Sequence, residues 1–220
     1  MNKNIKLLGV AILACGVATT ALATSEGMYF GVNAGMSKLN NKTRTITINP
    51  GGTQAIVSPN NTGFGGGFFF GYQTNDYFGM EMAYTYYTPS TYTTSNLPAN
   101  GLCSNPTIKQ SVISINGKGT FPIGTSGFGV FGKGGLGIVY QSLSGSLVST
   151  TGICGGNGKR TNTSARPMYG IGVSYDFSQN WVADLTYSHI TSGGSTPAAD
   201  LVSLGASYHI VNKRCGQFLC

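Results

Sequence analysis

The chain has 220 residues, the size of one all-β domain, and only 9% of them are charged, against about 25% in an ordinary soluble domain. It carries 34 Gly, 12 Tyr and 11 Phe and a formal charge of +7. Past residue 23 no apolar run reaches the 18 residues that a spanning helix requires, so these numbers exclude both a typical soluble domain and a helical membrane protein.

Residues 1–23 read as a secretory signal peptide. Lys3 and Lys6 form a positive n-region, Leu7 to Ala18 an apolar h-region, and Ala21-Leu22-Ala23 an A-x-A cleavage site before Thr24. A lipoprotein signal ending at Cys15 is the rival reading; Leu13 is unusual just before such a cysteine, and the better cleavage site lies downstream. Export makes nucleic acid an unexpected partner despite the positive charge.

From Tyr29 onward the pattern has period two, the signature of strands with one apolar face. Between Tyr29 and Lys38, Phe30, Val32, Ala34 and Met36 share a face opposite Gly31, Asn33, Gly35 and Ser37. Between Phe64 and Gln73, Phe64, Phe68, Phe70 and Tyr72 alternate with Gly65, Gly67, Gly71 and Gln73, and Phe69 breaks the small-residue rule. Tyr77–Tyr87 sets Phe78, Met80, Met82, Tyr84 and Tyr86 against Gly79, Glu81, Ala83 and Thr85. Ser111–Phe121 sets Ile113, Ile115 and Phe121 against Ser114, Asn116, Lys118 and Thr120. The same alternation returns over Phe128–Gln141, Met168–Phe177, Trp181–His189 and Asp200–Ile210.

These are eight strands of about ten residues, the length that crosses a bilayer at a tilt. The fold expected is therefore all-β: an eight-stranded antiparallel up-and-down transmembrane β-barrel over residues 24–210, followed by a short periplasmic tail, residues 211–220. An even number of strands closes the sheet and leaves no unpaired edge in lipid. The connections alternate in length. Thr74–Asp76, Pro122–Gly127 and Ser178–Asn180 are short; Leu39–Gly63, Thr88–Gln110, Ser142–Pro167 and Ile190–Ala199 are long. Short periplasmic turns and long external loops are the habit of bacterial barrels. Tyr72, Tyr77, Phe78, Phe121, Phe128, Phe177 and Trp181 flank the short turns, and Tyr84, Tyr86 and Tyr140 mark the other rim, as interfacial aromatic girdles do.

Three segments, Asn75-Asp76-Tyr77-Phe78-Gly79-Met80-Glu81-Met82-Ala83-Tyr84, Gly117-Lys118-Gly119-Thr120-Phe121-Pro122-Ile123 and Leu201-Val202-Ser203-Leu204-Gly205-Ala206-Ser207-Tyr208, give the chain a resemblance to the OmpA-type outer-membrane β-barrel family. The likeness runs through nearly all of the chain after the signal, in strand order. It implies an outer-membrane barrel with a network of acidic and basic side chains inside. Many members append a peptidoglycan-binding domain. This chain stops ten residues after Ile210, so wall tethering is not implied.

Four charges fall on the inward face: Glu81, Lys118, Lys133 and Asp184. Counted from the girdle at about 3.3 Å per residue, they lie at similar depth, and they are expected to form one lumen charge network. An eight-stranded interior is just wide enough for side chains, so an ion-pair plug is the expectation and an ion gate the alternative. On this count Lys118 is the partner of Glu81, and replacing Lys118 alone should be worse than replacing both.

Catalysis is not expected. Ser188 and His189 are neighbours on one strand and face opposite ways, and His209 lies near the short-turn end. No Cys/His cluster has metal-ligand spacing, so no metal or cofactor is expected. Gly132 to Gly137 fits G-x-G-x-x-G but lies inside an alternating strand, where no helix follows it.

The long loops carry an external basic patch, Lys42, Arg44, Lys109, Lys159, Arg160 and Arg166, with Asp200 the one acid near them. Lipopolysaccharide phosphate is the simplest partner for these cations; a sulfated host glycan or other host receptor is the sharper one. Cys103 and Cys154 lie in loops on the same side and are expected to form a disulfide, with Cys215 and Cys220 across the membrane either joined to each other or free. The function expected is a monomeric, non-enzymatic outer-membrane surface protein that supports envelope integrity and presents basic loops for adhesion or for host or lipopolysaccharide contact. A small ion-conducting pore is the alternative, and a lipid-modifying outer-membrane enzyme a third reading.

Overall fold

A computed structural model describes residues 26–41, 44–48, 53–95, 107–144, 160–193 and 196–210. Residues 1–23, expected to be a signal peptide, residues 211–220, expected to be a tail, and Lys42, Lys159, Cys103 and Cys154 lie outside the described residues.

Ten strands follow one another: β1 (Gly27–Leu39), β2 (Arg44–Ile48), β3 (Thr53–Pro59), β4 (Thr62–Gln73), β5 (Phe78–Ser95), β6 (Thr107–Pro122), β7 (Phe128–Ser144), β8 (Arg160–Asp176), β9 (Trp181–Ile190) and β10 (Ala199–His209). Eight of them close a ring in the order β1-β4-β5-β6-β7-β8-β9-β10, with β10 pairing back onto β1, and every pairing is antiparallel. Following the register from Glu81 through β4 and β1 leads to His209. Following it through β6, β7, β8 and β9 leads to Ala199 on the same strand. This stagger of ten residues goes with strands tilted by about 35–45° to the barrel axis.

The alternation in sequence becomes an inside-out barrel. Phe64 is 71% exposed, Phe121 70% and Leu204 67%, whereas Asn116 is 1% exposed and Ser114 and Ser203 2% each. Such an apolar outer face is stable only against lipid. The short turns are closed by side-chain acceptors. Asn75 Oδ1 accepts the backbone N–H of Tyr77 (2.9 Å) and Phe78 (2.8 Å), Ser178 Oγ accepts that of Trp181 (3.1 Å), and the turn before β7 has Gly124 and Gly127 at positive φ. At that end Tyr77 packs on Phe121, Phe128 on Tyr175, and Trp181 on Tyr208.

Two sequence expectations need correction. The connection Leu39–Gly63 is not a bare loop: it holds the β2–β3 hairpin, and β3 pairs with the far end of β5. The segments Thr88–Gln110 and Ser142–Pro167 are also partly strand, because β5, β6, β7 and β8 continue beyond the apolar band. Six strands therefore rise as a wall on one side of the long-loop end, while β1, β4, β9 and β10 stop near the rim. Outside the bilayer a strand has no lipid to face, so the outward positions of β6, β7 and β8 there carry Lys109, Ser142, Thr161 and Thr163, and their apolar period disappears.

Close strand approach fixes some inward glycines. A Cβ on Gly67 would run into the backbone carbonyl of Tyr84 on β5. Relief requires the two strands to part. Gly67→Val is therefore expected to cost about 1–3 kcal/mol or more and to lower the folded, heat-modifiable fraction on a gel after refolding into vesicles. A folded yield equal to wild type would show that the β4–β5 contact yields freely.

Candidate functional site

The lumen is built in layers. Near the short-turn end three inward aromatics each sit opposite a glycine in register: Tyr29 opposite Gly71, Phe69 opposite Gly31, and Phe131 opposite Gly172. A Cβ on any of those glycines would meet the ring, so each ring fills the space its partner leaves. This is why Phe69 departs from the small-residue pattern. His209 stacks on Tyr29 with ring centroids 4.9 Å apart.

The charges lie against these rings. Lys133 on β7 donates to Glu81 on β5, Nζ to Oε1 2.8 Å, across the lumen between two strands that are not neighbours. Their side chains are 9% and 2% exposed. The Tyr29 hydroxyl donates to the other carboxylate oxygen at 3.2 Å. Lys118 does not pair with Glu81 as the depth count suggests. It stands directly opposite Lys133 in the β6–β7 register, with Nζ 4.7 Å from the Phe131 ring centroid and 5.2 Å from that of Tyr29, a cation–π arrangement. Asp184 accepts a hydrogen bond from Thr186 (2.7 Å) and is outside ion-pair range of Lys133. The four residues share the lumen, and the ion pair within them is Lys133–Glu81.

Toward the long-loop end an apolar cluster fills part of the interior, with Gln110 and Gln141 buried beside it. Leu39, Tyr87, Val112, Val139, Ile190, Ala199 and Leu201 form one buried cluster, with Met168 packed against it. All point inward. Tyr87 and Val139 each lie six residues farther along their strands than Glu81 and Lys133. Beyond this plug the β9–β10 connection folds into the mouth. Thr196 is buried there against Ser164, Oγ to Oγ1 2.8 Å, and Arg166 donates to the Gly193 carbonyl.

That contact relocates Arg166. It belongs to β8, on the inner face, and not to an external loop. Lys109 lies in β6 with its side chain exposed on the outer face. Arg44 and Arg160 begin β2 and β8.

One polar cluster escaped the sequence reading. On the outer face near the long-loop rim, Asp200 accepts hydrogen bonds from the Tyr187 hydroxyl (2.7 Å) and from Asn40 Nδ2 (2.9 Å), and pairs with His189 Nδ1 (2.7 Å). Lys38 stands opposite Asp200 in register. The cluster spans the β9–β10–β1 seam. Strand alternation sets His189 apart from its neighbour Ser188, which points into the lumen. Its real partner is eleven residues away across a loop, where strand alternation gives no hint of it. Among the described residues no group of three His, Cys, Asp or Glu could hold a metal.

A lipid-facing apolar wall, a filled polar interior, and a closed ring of eight antiparallel strands define a transmembrane β-barrel of the bacterial outer membrane. Residues 8–209 match the outer membrane protein beta-barrel domain family, and the chain belongs to it. A Coxiella burnetii protein described as uncharacterized is 28% identical over 94% of this chain and 99% of its own length. Outer membrane protein A of Yersinia pseudotuberculosis is 26% identical over 94% of this chain and 55% of its own length. The chain thus spans about half of its outer membrane protein A relatives. Among solved structures, OprG of Pseudomonas aeruginosa aligns with a TM-score of 0.55 at 13% identity, over 86% of this chain and all of the other. Neisserial surface protein A aligns with a TM-score of 0.52 at 18% identity, over 84% and 97%. The chain is an OmpA-like outer-membrane protein, and the short turns of such barrels face the periplasm.

Proposed function

We propose that the protein is a non-enzymatic, non-conducting surface barrel that contributes to envelope integrity and holds an external strand wall and its basic loops for adhesion or for host or lipopolysaccharide contact. The observation that carries this reading is the filled lumen. The Lys133–Glu81 pair and the aromatic rings lie in one half, and the apolar cluster around Tyr87 lies in series with them in the other. Water and ions have to pass both. The pore reading accounts for the charges but not for the buried apolar cluster beyond them.

The lipid-modifying reading has one support, the His189–Asp200 pair on the lipid-facing rim. The neighbouring Ser188 hydroxyl faces the lumen and the Tyr187 hydroxyl is bound to Asp200, so neither of these neighbours is a free nucleophile for the imidazole. The external wall and the exposed Lys109 side chain are among the described features that can meet other molecules.

The deciding experiment is a planar-bilayer recording of the refolded barrel. No steady current is expected. A sustained single-channel current that disappears on changing Lys133 would replace this proposal with the pore. Swapping residues 96–106 and 145–159 for short linkers should then reduce binding of producing cells to sulfated glycan without reducing the folded yield.

A further inference from the structure

The lipid-facing wall of β5, β6 and β7 has a cleft at the external rim that neither the lumen nor the loops explain. In register, Tyr86 stands opposite Ser111 and Ser111 opposite Tyr140. A small side chain therefore lies between two rings, and the gap between the rings stays open as a cleft of about 190 Å³, with Tyr84 at its lower edge. One step farther out, Lys109 pairs with Ser142 and brings an ammonium group and a hydroxyl to the upper edge. Ring faces suit the C–H face of a pyranose sugar, hydroxyls suit its oxygens, and the lysine suits a phosphate. Tyrosines gather at this depth for the same amphipathic reason.

Below the cleft the same two strands carry Ile113 opposite Ile138 and Ile115 opposite Leu136, all turned outward. Next come Gly117 opposite Gly134 and Gly119 opposite Gly132. Unlike Gly67, these four have room: a Cβ on Gly134 would meet nothing within 4 Å, and on the other three nothing closer than 3.8 Å. Packing within the barrel does not demand them, although each glycine inside a strand is unfavourable by about 0.5–1 kcal/mol relative to alanine. They leave bare backbone in a wall otherwise made of bulky side chains. A furrow of about 620 Å³ takes in the lower pair, Gly119 and Gly132, and runs sideways past Phe121, Val130 and Ile171 to Leu185 and Val202.

We infer that this wall holds one molecule of an anionic outer-leaflet glycolipid, with its phosphorylated sugar headgroup between Tyr86 and Tyr140, its phosphate on Lys109, and an acyl chain laid down the wall toward the glycines. The inference rests on the surface-barrel reading and gives its lipid contact a definite site. It does not depend on whether the lumen conducts, so the bilayer recording and the test below fail independently.

The test uses the full barrel in nanodiscs of phosphatidylcholine doped with bis-phosphorylated lipid A, followed by native mass spectrometry. One retained lipid A per chain is expected. Lys109→Ala should lower retention by about fivefold, the worth of one lysine at an anionic surface, and removing the phosphates from lipid A should do the same to the wild type. Tyr86→Ala/Tyr140→Ala should lower it further. Gly132→Leu should weaken retention while keeping the preference for phosphorylated lipid. All variants are first checked for a heat-modifiable folded band, and the outward position of each residue predicts that they pass. Equal retention by wild type and the double tyrosine variant would overturn the proposal. So would equal retention of phosphatidylglycerol, which would make the cleft a general anionic surface. A protein dimer that Gly132→Leu abolishes would do the same, by assigning the furrow to a second copy of the chain.

Discussion

Glu81→Gln is expected to be the most damaging single charge substitution in the lumen, with a loss of about 3–5 kcal/mol, the usual consequence of stripping a buried ion of its partner. The carboxylate is 2% exposed, and Lys133, which it binds at 2.8 Å, is 9% exposed. Lys133 and Lys118 are direct cross-strand neighbours, and such neighbours have Cβ atoms about 4.5–5.5 Å apart. Without Glu81, two ammonium groups face one another in a space of low polarity. The Tyr29 hydroxyl loses an ionic acceptor in the same step. Glu81→Gln/Lys133→Met should recover a large part of the loss, because it removes the orphaned charge together with its partner. Lys118→Met should cost less than Glu81→Gln, since it relieves the repulsion opposite Lys133. Urea unfolding midpoints in vesicles give the order. Equal midpoints for Glu81→Gln and the double variant would mean that the pair is not coupled. This order reverses the one that depth counting suggests, in which Lys118 was the partner of Glu81.

That reversal marks the limit of what the sequence carries. Period two is a local property, and Phe30, Met80, Ile138 and Leu204 announce their outward face whatever their neighbours do. Strand number, the closed ring and the polar interior followed from it. Pairing between strands is different: it depends on the stagger of the whole barrel, which no single strand records. The Lys118–Lys133 opposition, the Asp200–His189 contact and the seating of Phe69 over Gly31 are all register facts. The repeated triplets Gly117-Lys118-Gly119 and Gly132-Lys133-Gly134 were a usable clue, because a hairpin with its turn between them brings the two triplets face to face. The strand wall was hidden for another reason. Thr161-Asn162-Thr163-Ser164 forms part of β8 beyond the bilayer, where water can meet either face and sequence polarity no longer separates strand from loop.

The apolar plug was equally silent, and it leads to the second large effect. Tyr87→Ala is expected to lower stability by about 3–5 kcal/mol, the range for deleting a buried ring. Tyr87 is 1% exposed and packs within the cluster of Leu39, Val112, Val139, Ile190 and Leu201. It is also the last paired residue of β5 before a register shift to Ser90, so its ring anchors the strand where the ladder is irregular. Tyr86, one residue earlier, turns to the lipid and is 43% exposed. Tyr86→Ala exchanges ring–lipid contact for methyl–lipid contact and leaves no cavity, so its effect should stay below about 1 kcal/mol. A pair of adjacent tyrosines thus separates core from wall in one measurement, the urea midpoint of each variant. Comparable losses for both would mean that the interior near the external rim is loosely filled. Tyr87→Ala should remain non-conducting in a planar bilayer, because Leu39, Val112, Val139, Ile190 and Leu201 still fill the lumen beside the deleted ring. Loss of stability without gain of current is the result that distinguishes a structural plug from a gate.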